Sequence, residues 1–385
     1  MLSRRGALLL AAGGLAQLSL PPAAPAAPGG RAVDRRAEVA GVLADRARSL
    51  PARSGLAGAE AVYRNLVVPS GPASAGGPER LTASAELALR IAGYDEYPVV
   101  YPRRIELVRD PGGWRVEREE AAGGPPALWD LGPVRTASGA HCLVLGLADG
   151  PDPAGLVPVG DRAVPAVNAV WGGAWPGRLL LELPATEPQF ARLLDADPAG
   201  WTGMAAVTVA APGAPRHTPA DRVVINPEAF GRLSDFGRQV VVTHETTHVA
   251  TRADTRAWTP LWLSEGVADW TAYRDSGRRP QQIAPELTRD VQAGRLPTAL
   301  PADADFAAGA TGIAQAYEQS WLACDLIARR YGTERLVAFY RAVGGDDGQG
   351  ADREQRTDRL LREVLGTGSA EFTRLWLAEV AALKG

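Results

Sequence analysis

Lysine is almost missing from this chain: of 41 basic side chains in 385 residues, only Lys384 is not an arginine. Alongside abundant alanine, glycine and proline, that imbalance reads as the coding bias of a GC-rich genome and not as an arginine-rich binding surface. The formal charge is only −3 and no basic block with interleaved aromatics occurs, which argues against a nucleic-acid partner. Cysteine is scarce too, with two residues, and none stands directly after the N-terminal apolar stretch, so no lipoprotein anchor is expected. In an oxidising compartment Cys142 and Cys324 invite a disulfide. Yet Cys324 sits in a helical apolar run from Trp321 to Ile327 and reads as a buried thiol, some 180 positions from Cys142. The stretch from Ala7 to Leu20 is too short for a comfortable membrane span. Histidine occurs only four times, and two of the four share one pentapeptide.

The ends and the punctuation organise the chain. Ser3-Arg4-Arg5-Gly6 precedes the apolar stretch and a Pro/Ala tract with Ala24-Pro25-Ala26 follows it, the layout of a twin-arginine-like export signal over residues 1–26. The mature protein is therefore expected outside the cytoplasm, secreted or associated with the cell envelope, with no stable membrane span beyond a possible uncleaved signal anchor. Its length suggests two or three domains, dividing near residue 150 into a 27–150 α+β domain and a 151–385 domain. Apolar spacing through Val39, Val42, Leu43 and Leu50 predicts a helix over 34–66. Strand-like runs follow at 82–92, 98–109 and 114–119, the last two joined by a turn at Asp110-Pro111-Gly112-Gly113. A helix followed by a curved antiparallel sheet resembles the NTF2-like cone. Beyond 160, strands are predicted at 178–183, 204–210 and 222–226 with a helix near 187–195, then helices at 311–331, 334–343, 355–365 and 369–382.

The chemistry lies between those halves, in His244-Glu245-Thr246-Thr247-His248. On a helix, positions i and i+4 share a face, so both imidazoles can grip one metal ion. The glutamate between them stays free to handle a proton. Ser234 is placed to cap that helix, with Asp235 in its first turn. Seventeen positions after His248 comes Glu265, in Trp262-Leu263-Ser264-Glu265-Gly266-Val267-Ala268-Asp269-Trp270, on a helix expected to open near Thr259-Pro260 with proline at its first position. A catalytic zinc usually takes three protein ligands and leaves a fourth position open, and His244, His248 and Glu265 make such a set. Asp269, one turn past Glu265, could accept a hydrogen bond from a ligand imidazole. Gly266 fits two helices pressed together.

His-Glu-x-x-His followed by Trp-Leu-x-Glu-Gly-x-Ala-Asp resembles the gluzincin zinc metallopeptidases, and among them the bacterial peptidase-MA-like group, over about residues 220–340. The resemblance implies Zn2+ held by His244, His248 and Glu265, with Glu245 as general base and Asp269 supporting a ligand. It implies a thermolysin-like gluzincin domain with a mixed sheet, active-site helices and an all-helical C-terminal part, so that with the small NTF2-resembling domain before it the expected chain is α+β. The 16 residues between His248 and Glu265 are fewer than in the aminopeptidase and thermolysin branches, and no Gly-x-Met-x-Asn segment occurs, which speaks against both.

Other residues compete for roles. Asp254, six positions past His248, stands where metzincins place their last ligand, but Thr251 replaces the glycine that their turn needs. An oxyanion donor is also required. His141 and His217 both precede the motif, and His141 reads as a strand histidine. Tyr317, on the first helix after the metal segment, is the donor that the resemblance suggests, the alternative being a packing tyrosine. Tyr331, before Gly332 at a helix end, reads as structural. The expected function is an exported zinc metallopeptidase acting on peptide or protein substrates. The alternatives are a zinc-stabilised, non-catalytic binding or sensor protein, and a latent enzyme that deletion of residues 27–150 would release.

Overall fold

A computed structural model describes residues 30–385 except 57, 70–77, 174, 198–202, 210–218, 308 and 346–351. The expected export signal and His217 lie outside the described residues. Val39, Leu43, Ala47 and Leu50 recur every three or four positions and bury one face of helix α1 (Gly30–Arg53). The helix predicted over 34–66 does not continue. The chain turns at Gly55, whose φ is +72° and where a Cβ would lie 2.0 Å from the carbonyl oxygen of Val134. Residues past that turn alternate in exposure, the period of a strand, and form β1 (Ala59–Val67). Strands β2 (Arg80–Ile91), β3 (Val99–Asp110) and β4 (Gly113–Ala121) complete an antiparallel meander in the order β1-β2-β3-β4. The turn between the last two falls where proline and glycine predict it, with Asp110 opposite Gly113. Val39 and Leu43 of α1 pack against Ala83, Ile105 and Trp114 on one face of this sheet.

A second sheet follows. It is built from β5 (Val134–Ser138), β6 (Cys142–Leu147), β7 (Leu179–Leu183), β8 (Ala206–Val209) and β9 (Arg222–Ile225), in the order β5-β6-β7-β9-β8. β6, β7 and β9 run parallel, while β5 and β8 are antiparallel edges. Helix α2 (Val157–Trp171) makes the crossover from β6 to β7; α3 (Glu187–Leu193) follows β7, and α4 (Pro227–Gly231) follows β9. The sequence pattern hides α2 behind Pro158 and Pro165. The first sits in the opening turn, where no amide partner is needed, and burial of Val159, Ala163, Val164 and Val167 holds the helix around the second.

The second sheet alternates its side chains between two cores. Val144, Leu181 and Val223 face α2 and the C-terminal helices. Leu145, Leu180 and Val224 face Leu87, Leu89 and Ile91 of β2. Asp95 fastens the two sheets together. Its carboxylate accepts from both terminal nitrogens of Arg222 at 2.5 and 2.9 Å, and from the amides of Ile91 at 2.8 Å and Ala220 at 3.0 Å. β5 and β6, which precede residue 150, thus belong to the second sheet, and a 27–150 deletion would remove them along with half of a shared core.

The rest is helical: α5 (Asp235–Thr251), α6 (Leu261–Tyr273), α7 (Pro280–Ile283), α8 (Pro285–Gln292), α9 (Ile313–Tyr331), α10 (Thr333–Gly345), α11 (Arg353–Leu365) and α12 (Ser369–Ala382). Among the described residues no helix is long and apolar enough to cross a membrane. Cys142 and Cys324 are both buried free thiols. Helix α6 lies directly on α9, and Gly266 is the reason it can. A Cβ there would stand 2.5 Å from the Ser320 carbonyl oxygen and 2.7 Å from the Cys324 sulfur. Gly266→Ala is expected to force the helices apart and destabilise the protein by about 1–3 kcal/mol. Urea unfolding measures this, and an unchanged midpoint would show that the contact has slack.

Candidate metal centre

Helix α5 begins as its sequence requires, with the Ser234 hydroxyl accepting from the Gly237 amide at 3.2 Å. From Val240 to His248 every side chain is buried. Such burial would be costly for the threonines, but Thr246, Thr247 and, just past that stretch, the buried Thr251 each donate to the carbonyl four residues back, at 2.6, 2.9 and 2.9 Å, while Thr243 accepts from Gln239 at 3.1 Å. The chain after α5 is tied down on its way to α6. The Thr255 hydroxyl meets that of Tyr340 at 2.6 Å, and Arg353 donates to the carbonyls of Trp258 at 2.8 Å and Thr259 at 3.1 Å. Pro260 stands at the N-cap of α6, one place before the first helical position that its sequence suggests. The Asp303 carboxylate takes over the first amide of α6, accepting from Leu261 at 3.0 Å.

That path carries Glu265 back over the histidines. His244 Nε2 and His248 Nε2 are 2.9 Å apart, and Glu265 Oε2 lies 3.3 Å from the first and 3.5 Å from the second. Zinc bonds of about 2.1 Å set tetrahedral ligand atoms roughly 3.4 Å apart, so this spacing suits one small ion. Two imidazoles and a carboxylate are one of the ligand sets that zinc can take. Both Glu265 carboxylate oxygens are buried without accepting a hydrogen bond, groups that a cation would satisfy. His244 Nδ1 lies 2.8 Å from Asp269 Oδ1. With Nδ1–H donating there, the Nε2 lone pair is turned toward His248 and Glu265.

The electrostatics ask for positive charge at the same point. Burial opposes charge on His244, but Asp269 and Glu265 outweigh it and push its pKa up to about 10. Burial likewise opposes charge on Glu265, yet the facing imidazoles of His248 and His244 hold it down at about 2. Glu245 is not one of the converging donors. Burial raises its pKa above the usual carboxylate range, while the two imidazoles and a hydrogen bond from Thr208 pull the other way. That hydroxyl donates to Glu245 Oε2 at 2.6 Å. Sequence reasoning misses Thr208, because threonine in a short strand is ordinary and 36 positions separate it from His244.

Tyr317 reaches the same place from α9. Its ring lies 6.4 Å from that of His244 between centroids and packs edge-on against Phe306. Its buried hydroxyl makes no hydrogen bond, and burial next to Glu265, Asp269 and Glu245 raises its pKa well above 10. The other candidates sit elsewhere. Asp254 pairs with Arg341 of α10 at 3.3 Å and is not in the His–His–Glu group. The His141 amide donates to Asp161 at 2.8 Å at the start of β6, and Tyr331 ends α9 before Gly332.

No family model matches the chain, and no curated protein matches it in sequence. Solved structures similar to it include an M1 zinc metallopeptidase from Deinococcus radiodurans, at 15% identity and a TM-score of 0.39, covering 86% of this chain and 62% of that enzyme. A mutant of that enzyme bound to a Tyr-Ser-Ala substrate is similar at 15% identity and a TM-score of 0.38, over 83% of this chain and 61% of the other. The chain thus spans about three fifths of their length. His244, His248 and Glu265 could hold a metal ion by their own geometry.

Asp269→Ala should leave the three donors in place but free the His244 ring to turn. Zinc affinity is expected to fall about 10–100-fold, measured by competition with a chromophoric chelator. Unchanged affinity would make Asp269 a bystander.

Proposed function

We propose that this protein is an exported zinc metallopeptidase that hydrolyses peptide bonds in peptides or proteins outside the cytoplasm. The carrying observation is the convergence of His244, His248 and Glu265 on one buried point while Glu245, on the same helix, stands outside the donor set. His244, His248 and Glu265 would hold the ion, with Asp269 fixing the His244 ring. When bound, zinc polarises a peptide carbonyl and makes water a better nucleophile at neutral pH. Glu245 takes the proton from the attacking water on its carboxylate and passes it to the departing amine nitrogen. Burial suits this role, since a carboxylate with a raised pKa is a stronger base. The Tyr317 hydroxyl would donate to the carbonyl oxygen as charge builds on it, a reading supported by its being buried without a hydrogen bond of its own. A site that merely stapled the fold would have no use for Glu245 and would usually be closed by a fourth ligand. Export rests on the residue 1–26 pattern alone.

The test is digestion of a diverse peptide mixture by the zinc-loaded mature protein, read by mass spectrometry beside Glu245→Gln. That variant removes the base and no ligand. It should keep full zinc content and lose roughly a thousandfold or more in rate. Cuts that persist in Glu245→Gln would overturn the mechanism. A wild type that binds zinc and cuts nothing would favour a binding or sensor role.

A further inference from the structure

Thr208, on a strand, hydrogen-bonds the proposed base from outside the helices, and its placement has the marks of a constraint. It sits on β8, the antiparallel edge strand, opposite Val223 of β9. Alternation along β8 sends Val207 into the core shared with the N-terminal sheet and turns Thr208 toward α5, where it is 1% exposed. Its hydroxyl has two acceptors in reach, both on Glu245: the carboxylate Oε2 at 2.6 Å and the main-chain oxygen at 3.2 Å. One hydroxyl carries one proton. The shorter contact lies in the range of a hydrogen bond to an ionised carboxylate, so the proton goes to Oε2. Burial keeps water from competing for it, and a β-branched side chain on a paired strand has little freedom at χ1 to let go.

We propose that Thr208 is a positioning residue for peptide hydrolysis: by occupying Glu245 Oε2 it leaves Oε1 as the oxygen that takes the proton from water. This rests on the peptidase function proposed above. A carboxylate held only by its own chain can rotate about its last bond and present either oxygen. With Oε2 tied to the sheet, the plane of the group is fixed relative to the histidines one residue before and three after it. The Thr208 hydroxyl bonds to Glu245 and, by this account, not to the substrate, so its loss should act on turnover and not on binding. A misplacement of about 1 Å costs about a hundredfold in rate when reacting groups must be in register.

The experiment uses two substitutions in the full mature chain. Thr208→Val keeps the shape and removes the hydroxyl, while Thr208→Ser keeps the hydroxyl and drops a methyl group. On a fluorescent casein substrate, Thr208→Val should lose about 10–100-fold in kcat at nearly constant KM and unchanged zinc content. Thr208→Ser should stay within about threefold of the wild type. Equal losses in both variants, or a loss confined to KM, would overturn the proposal. A second measurement does without turnover: thermal unfolding of the metal-free protein in a double-mutant cycle. Thr208→Val should lower Tm by about 3 °C or more in the wild-type background, and by less than half as much when Glu245→Ala is also present. Equal shifts in both backgrounds would show that the hydroxyl does not hold the carboxylate. If wild type cuts no substrate, the peptidase function fails by itself, while the cycle still decides the hold of Thr208 on Glu245.

Discussion

Three electron-rich atoms forced together in a dry interior define this molecule. Two imidazole nitrogens 2.9 Å apart, with a carboxylate oxygen 3.3 and 3.5 Å away, repel one another unless a cation or shared protons lie among them. Everything nearby is arranged to impose that crowding. Threonine hydroxyls satisfied within α5 let it run buried past the site, Asp269 turns one ring inward, and Arg353 and Asp303 pin the segment that returns Glu265. Gly266 then lets α9 press on α6 from behind. The energy of packing is spent on holding a geometry that would not persist in water.

Around that centre the side chains of the proposed chemistry come from separate layers. The proposed base lies on the same helix as two of the converging donors, its hydroxyl partner on a sheet edge, and the tyrosine on α9, which packs on α6. Their proximity is a product of tertiary structure, and each has a buried polar group whose hydrogen bonding is either complete or conspicuously open. Thr208 and Glu245 illustrate the first case, and Tyr317 the second.

Legibility in the sequence follows the range of the interactions. His244, His248, Glu265 and Asp269 are readable because each pair is one helical turn apart and the two pairs are joined by a short segment. Ser234 is readable as a local cap, and the hairpin at Asp110–Gly113 as a local turn. The helix predicted over 34–66 overruns because what stops it is a contact between Gly55 and Val134, some 80 positions on, that no window reveals. Helix α2 is hidden by two prolines whose cost is offset by core burial. Thr208 is invisible for the same reason as Gly55: its meaning lies in a partner far along the chain. The placement of β5 and β6 also depends on distant pairing, with β6 set beside β7 more than 30 positions on.

The double-sided second sheet has a dynamic corollary. With one face in the core around α5 and the other in the core under β2, and with Asp95 and Arg222 riveting the seam, neither half can open without exposing the apolar surface of the other. Slow amide exchange should accordingly be spread across both halves as a single foldon, with no separable N-terminal module. The fidelity of a site on α5 then depends also on the N-terminal sheet that backs the second one.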